Sequence, residues 1–124
     1  MKVLSGNMPE VGPLSHGVVK NGVLHTAVVP LKEDGTFETG DFEAQAELAF
    51  QNLQAVVEEA GGTLEDVVQV TIYLTDIRDT PKMNEVWKKY FSKPYPNRAT
   101  LGITALTVPD LKIEIVATAM IDNN

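Results

Sequence analysis

Residues 41–60 read DFEAQAELAFQNLQAVVEEA, followed by GGTLED at 61–66 and VVQVTIYLT at 67–75. In the first run Phe42, Ala46, Ala49, Phe50, Leu53, Val56, Val57 and Ala60 recur at helical spacing, while Glu43, Glu47, Gln51, Gln54 and Glu58 fall on the other side. Asp41 can cap the start, and Gly61-Gly62 can end the run by taking a left-handed backbone. The spacing predicts a long one-sided helix. The period then changes to two, with Val68, Val70, Ile72 and Leu74 on one face and Gln69, Thr71, Tyr73 and Thr75 on the other. A half-buried strand follows the helix.

Working outward toward the N-terminus, residues 18–20 and 23–29 are extended segments separated by Asn21-Gly22, a pair suited to a two-residue hairpin turn. On the C-terminal side, Thr80-Pro81 marks a helix start, with Thr80 as the expected cap. Met83, Val86, Trp87, Tyr90 and Phe91 give that helix an apolar stripe, and Trp87 reads as core rather than as a stacking platform. After Pro94-Tyr95-Pro96 two alternating strands are expected, at 98–106 and 112–121, joined by a loop containing Pro109-Asp110. Both helices are one-sided, so the expected class is α+β, a single sheet with two helices packed on one face. The other sheet face keeps substantial apolar content, and a homo-oligomer is the expected cover. Such assemblies create clefts between subunits, where small molecules often bind.

The chain of 124 residues is the size of one core, and no linker or repeat divides it, so residues 1–124 are read as a single domain. Its net charge of −7 argues against a nucleic-acid partner, since Lys88-Lys89 is the longest basic run. No apolar stretch reaches a bilayer-spanning length and the start resembles no secretory leader, so no membrane partner is expected and the cytoplasm is the expected location. The absence of cysteine removes disulfides, thiolate nucleophiles and Cys-ligated zinc. His16 and His25 have no metal-ligand spacing, and Ser15-His16 are adjacent on an extended segment and so point apart.

Arg98 opens a strand on the same face as Thr100, Gly102 and Thr104, with Ala99, Leu101, Ile103 and Ala105 forming an apolar face opposite. A guanidinium fork matches a carboxylate bidentately, although from spacing alone a salt bridge is the commoner fate of such an arginine. Glu114 is a carboxylate inside the last strand. Buried, it would hold its proton to higher pH and could exchange it with water; otherwise it merely occupies a polar sheet face. If the last two strands form a hairpin, Glu114 lies opposite residue 104 and Arg98 is about 20 Å away along the strand. The two could then meet only across a subunit interface or another fold contact. Asn84, near the start of the second helix, could orient a ligand or lie on the plain surface.

Taken in order, Val11-Gly12-Pro13 with Ser15, Gly40-Asp41-Phe42-Glu43-Ala44-Gln45, residues 60–68, Met83-Asn84-Glu85-Val86-Trp87, Pro96-Asn97-Arg98-Ala99-Thr100 and Ile113-Glu114-Ile115 resemble the Rid family, the reactive intermediate deaminases also called the YjgF family. The resemblance implies a chorismate-mutase-like α+β subunit in a homotrimer with three pockets between subunits. It implies hydrolysis of small 2-enamine and 2-imine acids to 2-oxo acids and ammonia, without a cofactor or metal. It matches Arg98 to the arginine that grips the substrate carboxylate, Glu114 to the glutamate beside the water, and Asn84 to a position near the pocket. The departures fall on the pocket wall. Leu14 stands where the family has a tyrosine, Thr26-Ala27-Val28 replaces Ser-Gly-Gln, and Thr100 stands where cysteine is common. This altered wall, with Leu14, Thr26, Ala27 and Thr100 as its substrate-binding residues, raises two alternatives: a deaminase for a larger enamine, or a protein that binds small carboxylates on the same trimer without turnover.

Overall fold

The computed structural model describes residues 1–121. Its elements are β1 (Lys2–Leu4), β2 (Gly17–Lys20), β3 (Val23–Val28), α1 (Phe42–Glu59), β4 (Val67–Leu74), α2 (Thr80–Tyr90), β5 (Asn97–Gly102) and β6 (Ile113–Met120). The strands form one sheet in the order β1-β2-β3-β6-β4-β5, antiparallel throughout except for the parallel pair β4 and β5.

Both ends of α1 follow from its terminal residues. The Asp41 carboxylate accepts from the Ala44 amide at 2.9 Å, satisfying a donor the first turn leaves free. At the far end Gly61 takes φ +97°; its amide donates to Glu58 O at 3.0 Å and the Gly62 amide to Val57 O at 3.1 Å. Those two bonds close the last carbonyls in a Schellman arrangement. The second helix begins differently from expectation. Thr80 is its first residue, not its cap, because a 3-10 turn at Ile77–Asp79 runs directly into it and the Thr80 hydroxyl donates back to Ile77 O at 2.7 Å.

The buried face of α1 lies over β3 and β6 and shares one core with alternate residues of the central strands: Leu24 and Val28 of β3, Val70, Ile72 and Leu74 of β4, and Ile113 and Ile115 of β6. Phe50 joins the helices, stacking on Tyr90 with centroids 5.4 Å apart and meeting the Trp87 edge at 6.1 Å. Above it Glu47 accepts from Lys89 and Tyr90; the Lys89 hydrogen bond holds its carboxyl below the ordinary range, while burial and then Glu47 push the Tyr90 phenol up to about 12.

The last two strands do not form a hairpin. β6 inserts between β3 and β4, and β5 lies beyond β4 at the sheet edge. The residues explain the exchange: on the helix side β6 presents Ile113, Ile115, Ala117 and Ala119, all buried, which suits a central strand. On that side β5 has only Arg98, Thr100 and Gly102, which suits an edge. The expected strand at 98–106 therefore stops at Gly102, and residues 103–112 carry the chain across β4. The alternation read for β5 holds, but its apolar face is the open one. Leu101 is 43% exposed there, alongside Val3 at 59% and Met120 at 51%.

Close packing of α1 on the N-terminal strands leaves no room at Gly17, where an added Cβ would lie 2.6 Å from Cγ1 of the fully buried Val56. Gly17→Ala is expected to lower stability by roughly 1–3 kcal/mol through overpacking. Urea denaturation checks this, and an unchanged midpoint would contradict the packing described.

Candidate functional site

Arg98 stands on an edge strand, in register with Val70 of β4, and its side chain turns toward α2. Met83 and Trp87, one helical turn apart, receive it. The guanidinium carbon lies 4.7 Å from the Trp87 ring centroid, and Nη1 donates toward Met83 Sδ at 3.8 Å. Trp87 is thus core and platform together: it is buried, but one face is spent on the cation. No carboxylate lies within 4.0 Å of Arg98 among the described residues, so the salt bridge favoured by spacing is not formed among them. A thioether and a π-face leave most of the N–H donors without a strong acceptor. Burial pushes the guanidinium pKa down, yet from so high a value that the group stays a cation at neutral pH. It opens on a cavity of about 430 Å³ shared with Asn84, Trp87, Lys88, Tyr95 and Pro96. Lys88 and Arg98 give this hollow a positive character, and Asn84 a carboxamide.

Glu114 belongs to a different cavity. It is paired with Tyr73 across β6 and β4 and points away from the buried Ile113 and Ile115. The hollow it lines measures about 310 Å³, with Leu14, His16, Ala27, Phe37 and Val108 among its walls. Burial raises the Glu114 carboxyl pKa; no hydrogen bond or neighbouring charge offsets that desolvation.

Two buried carboxamides on α1 hold the loops around this hollow. Gln45, wholly buried, donates to Gly40 O at 3.2 Å and Asp110 O at 2.9 Å, and accepts from the Lys112 amide at 2.8 Å. Asn52 donates to Val29 O and Leu31 O, each at 2.9 Å. One anchors the loop bearing Leu106, Thr107 and Val108, the other the start of the loop bearing Phe37. Behind the wall the Thr26 hydroxyl donates to His16 O at 2.6 Å, and His16 Nε2 is 2.7 Å from Pro9 O.

The structure therefore sorts the expected site residues into groups. Arg98 and Asn84 share one cavity; Glu114, Leu14 and Ala27 share the other. Thr26 and the half-buried Thr100 are among the lining residues of neither. Within one chain Arg98 and Glu114 occupy opposite faces of the sheet with β4 between them. Sequence reasoning missed Gln45, Asn52 and the platform role of Trp87. The first two carried a signal: seven residues apart, they sit on the apolar stripe of α1, where an unpartnered amide is not tolerated. No group of three or more His, Cys, Asp or Glu suited to a metal occurs among the described residues, and no helix among them is long and apolar enough to cross a membrane.

The sequence profile of the family described as Endoribonuclease L-PSP matches residues 5–121. A RutC family protein of Pyrococcus abyssi is 38% identical over 111 residues, covering 88% of this chain and 87% of its own. A 2-iminobutanoate/2-iminopropanoate deaminase of Dermatophagoides farinae is 33% identical over 114 residues, covering 90% and 88%. The crystal structure of Escherichia coli TdcF with bound serine has the same one-sheet, two-helix fold, with a TM-score of 0.88 and 29% identity over 98% of this chain and 100% of that one.

Two measurements test this geometry. Gln45→Leu strands two carbonyls and an amide, so a loss of roughly 2–4 kcal/mol is expected by denaturant unfolding; a neutral effect would mean that the loops are not held from α1. For Glu114 the sign follows from its raised pKa: the folded state binds the proton more tightly than the unfolded one. Its contribution is fully present below the unfolded carboxyl pKa and is lost as pH rises through the folded one. Between acid and neutral pH the melting temperature of Glu114→Gln should therefore gain on that of the parent. A constant difference across that window would show that burial does not perturb the group.

Proposed function

We propose, from the premise that the chain belongs to the endoribonuclease L-PSP family, the YjgF, RutC and Rid proteins, that it hydrolyses 2-imino and 2-enamino acids to 2-oxo acids and ammonia. The carrying observation is Arg98, a cation with no anionic partner among the described residues, held on an aromatic platform at the margin of an edge strand. That arrangement supports a ligand carboxylate as the missing partner. The mite relative is named for this reaction, and serine, the ligand in the TdcF structure, carries a carboxylate.

Arg98 and Glu114 face opposite sides of one sheet, so a site using both takes Arg98 from one chain and Glu114 from another. A homotrimer supplies such contacts three times, and the exposed apolar residues of the open sheet face give subunits something to bury. In that site the guanidinium fork fixes the substrate carboxylate and hence the neighbouring C2. The Glu114 carboxylate takes a proton from water as the oxygen bonds to C2 and the C=N electrons move to nitrogen. The resulting carboxylic acid returns the proton to that nitrogen, giving a carbinolamine; the Glu114 carboxylate then takes the hydroxyl proton and passes it to the nitrogen as the C–N bond breaks and the C=O bond forms, and ammonia and the 2-oxo acid leave. A carboxyl with a raised pKa suits both halves of this exchange. An enamine enters the same path after protonation at its β-carbon.

Arg98→Ala and Glu114→Gln, assayed by ammonia release from an imino acid generated in situ, should each lower kcat/KM at least about 100-fold. Co-expressed at equal levels, the two inactive chains should recover about one quarter of parental activity. In random assembly an intact Arg98 meets an intact Glu114 at one contact in four. No recovery would remove the shared site. No acceleration by the parent protein would remove the deaminase reading, and saturable binding of 2-oxo acids without turnover would identify a carboxylate-binding protein instead.

A further inference from the structure

We infer that the Glu114 cavity receives the substrate side chain and selects imino acids derived from large apolar amino acids, branched aliphatic or aromatic, over those derived from alanine. The inference rests on the deaminase reading above and adds the substrate class to it. Its first support is volume. A cavity of about 150 Å³ with apolar walls accommodates a benzene ring, whereas this one measures about 310 Å³. The methyl group of an alanine-derived imine would leave most of it as unfilled apolar surface, forgoing the contacts an isobutyl or benzyl group makes.

The second support is the chemistry of the wall. Val11, Leu14, Ala27, Phe37, Leu106 and Val108 all contribute to it, and no lysine or arginine does. An acidic side chain would therefore meet Glu114 without a compensating cation. His16 turns Nε2 to the Pro9 carbonyl, and Glu114 is the one carboxylate among the residues lining this hollow, so it is the anion a substrate nitrogen meets there. The third support is Leu14, which is 58% exposed while lining the hollow. It finds no cover among the described residues and stands where an incoming apolar group would bury it. A carboxylate held by Arg98, a nitrogen beside Glu114 and an apolar hollow around it describe a 2-imino acid with a bulky hydrocarbon side chain.

The test compares imino acids generated in situ by an amino-acid oxidase from leucine, phenylalanine, alanine and glutamate, with the spontaneous rate subtracted. The leucine- and phenylalanine-derived imines should show kcat/KM at least about 30-fold above the alanine-derived one, and the glutamate-derived one the lowest value. Two substitutions at exposed wall positions report on the hollow itself. Leu14→Asp, which charges it, and Ala27→Phe, which fills it, should each lower the leucine-derived rate at least about tenfold more than the alanine-derived rate. Equal or reversed preference among accelerated substrates overturns the side-chain assignment and leaves the deaminase reading standing. Acceleration of none of the four overturns both.

Discussion

A carboxamide buried in an apolar helix face has to find partners, and in this protein the partners it finds are the loops that shape a cavity. Gln45 and Asn52 lie on the stripe of α1 that packs against the sheet, where water does not reach them. Gln45 closes on the backbone of residues 40, 110 and 112, and Asn52 on that of residues 29 and 31. An unmet donor there would cost as much as a packing defect, so the loops have little freedom to leave. The irregular segments around Glu114 are thereby tied to the most regular element in the molecule. A hollow built from loops acquires the rigidity of a helix, which positions groups more accurately than loops do alone.

The same economy governs Arg98. Edge strands tolerate side chains that central strands reject, since one margin meets solvent or another molecule. Placing the cation on β5 keeps it partly hydrated, while Trp87 takes one face of the guanidinium and fixes its plane. The charge is desolvated enough to attract an anion and not so far as to be lost. β6, two strands away, is buried on its helix side and carries its carboxylate on the other. Positive and negative groups thus reach opposite faces of one sheet without neutralising each other.

Much of this was legible in residues 41–75, because a period of 3.6 that gives way to a period of 2 at a glycine pair admits few other readings. The ends of α1, the Asn21-Gly22 hairpin, the alternation of β6 and that of β4 from Val70 onward follow from local chemistry, and the structure has them; a register shift between Val67 and Gln69 leaves Val68, expected on the apolar face, 42% exposed. Strand order did not follow, because alternation states which side of a strand is apolar and says nothing about its neighbours. Ile113 and Ile115 are compatible with an edge or a centre until the rest of the sheet is known. For β5 the alternation names an apolar face at Ala99 and Leu101 without saying which side of the sheet it takes; it lies on the open one. β1 is too short at three residues to leave a periodic trace. The family resemblance supplied candidate residues that spacing alone left ambiguous, and the structure then divided those residues between two hollows.

That division has a geometric consequence. Under the proposed pairing each chain carries two unlike half-sockets, one around Arg98 and one around Glu114. A row of subunits joined socket to socket always ends with an unmatched half at either tip, however long it grows. Only a ring has no tips. Circular closure is then the condition under which every arginine supplied by the sequence finds a glutamate, and the number of working sites equals the number of chains.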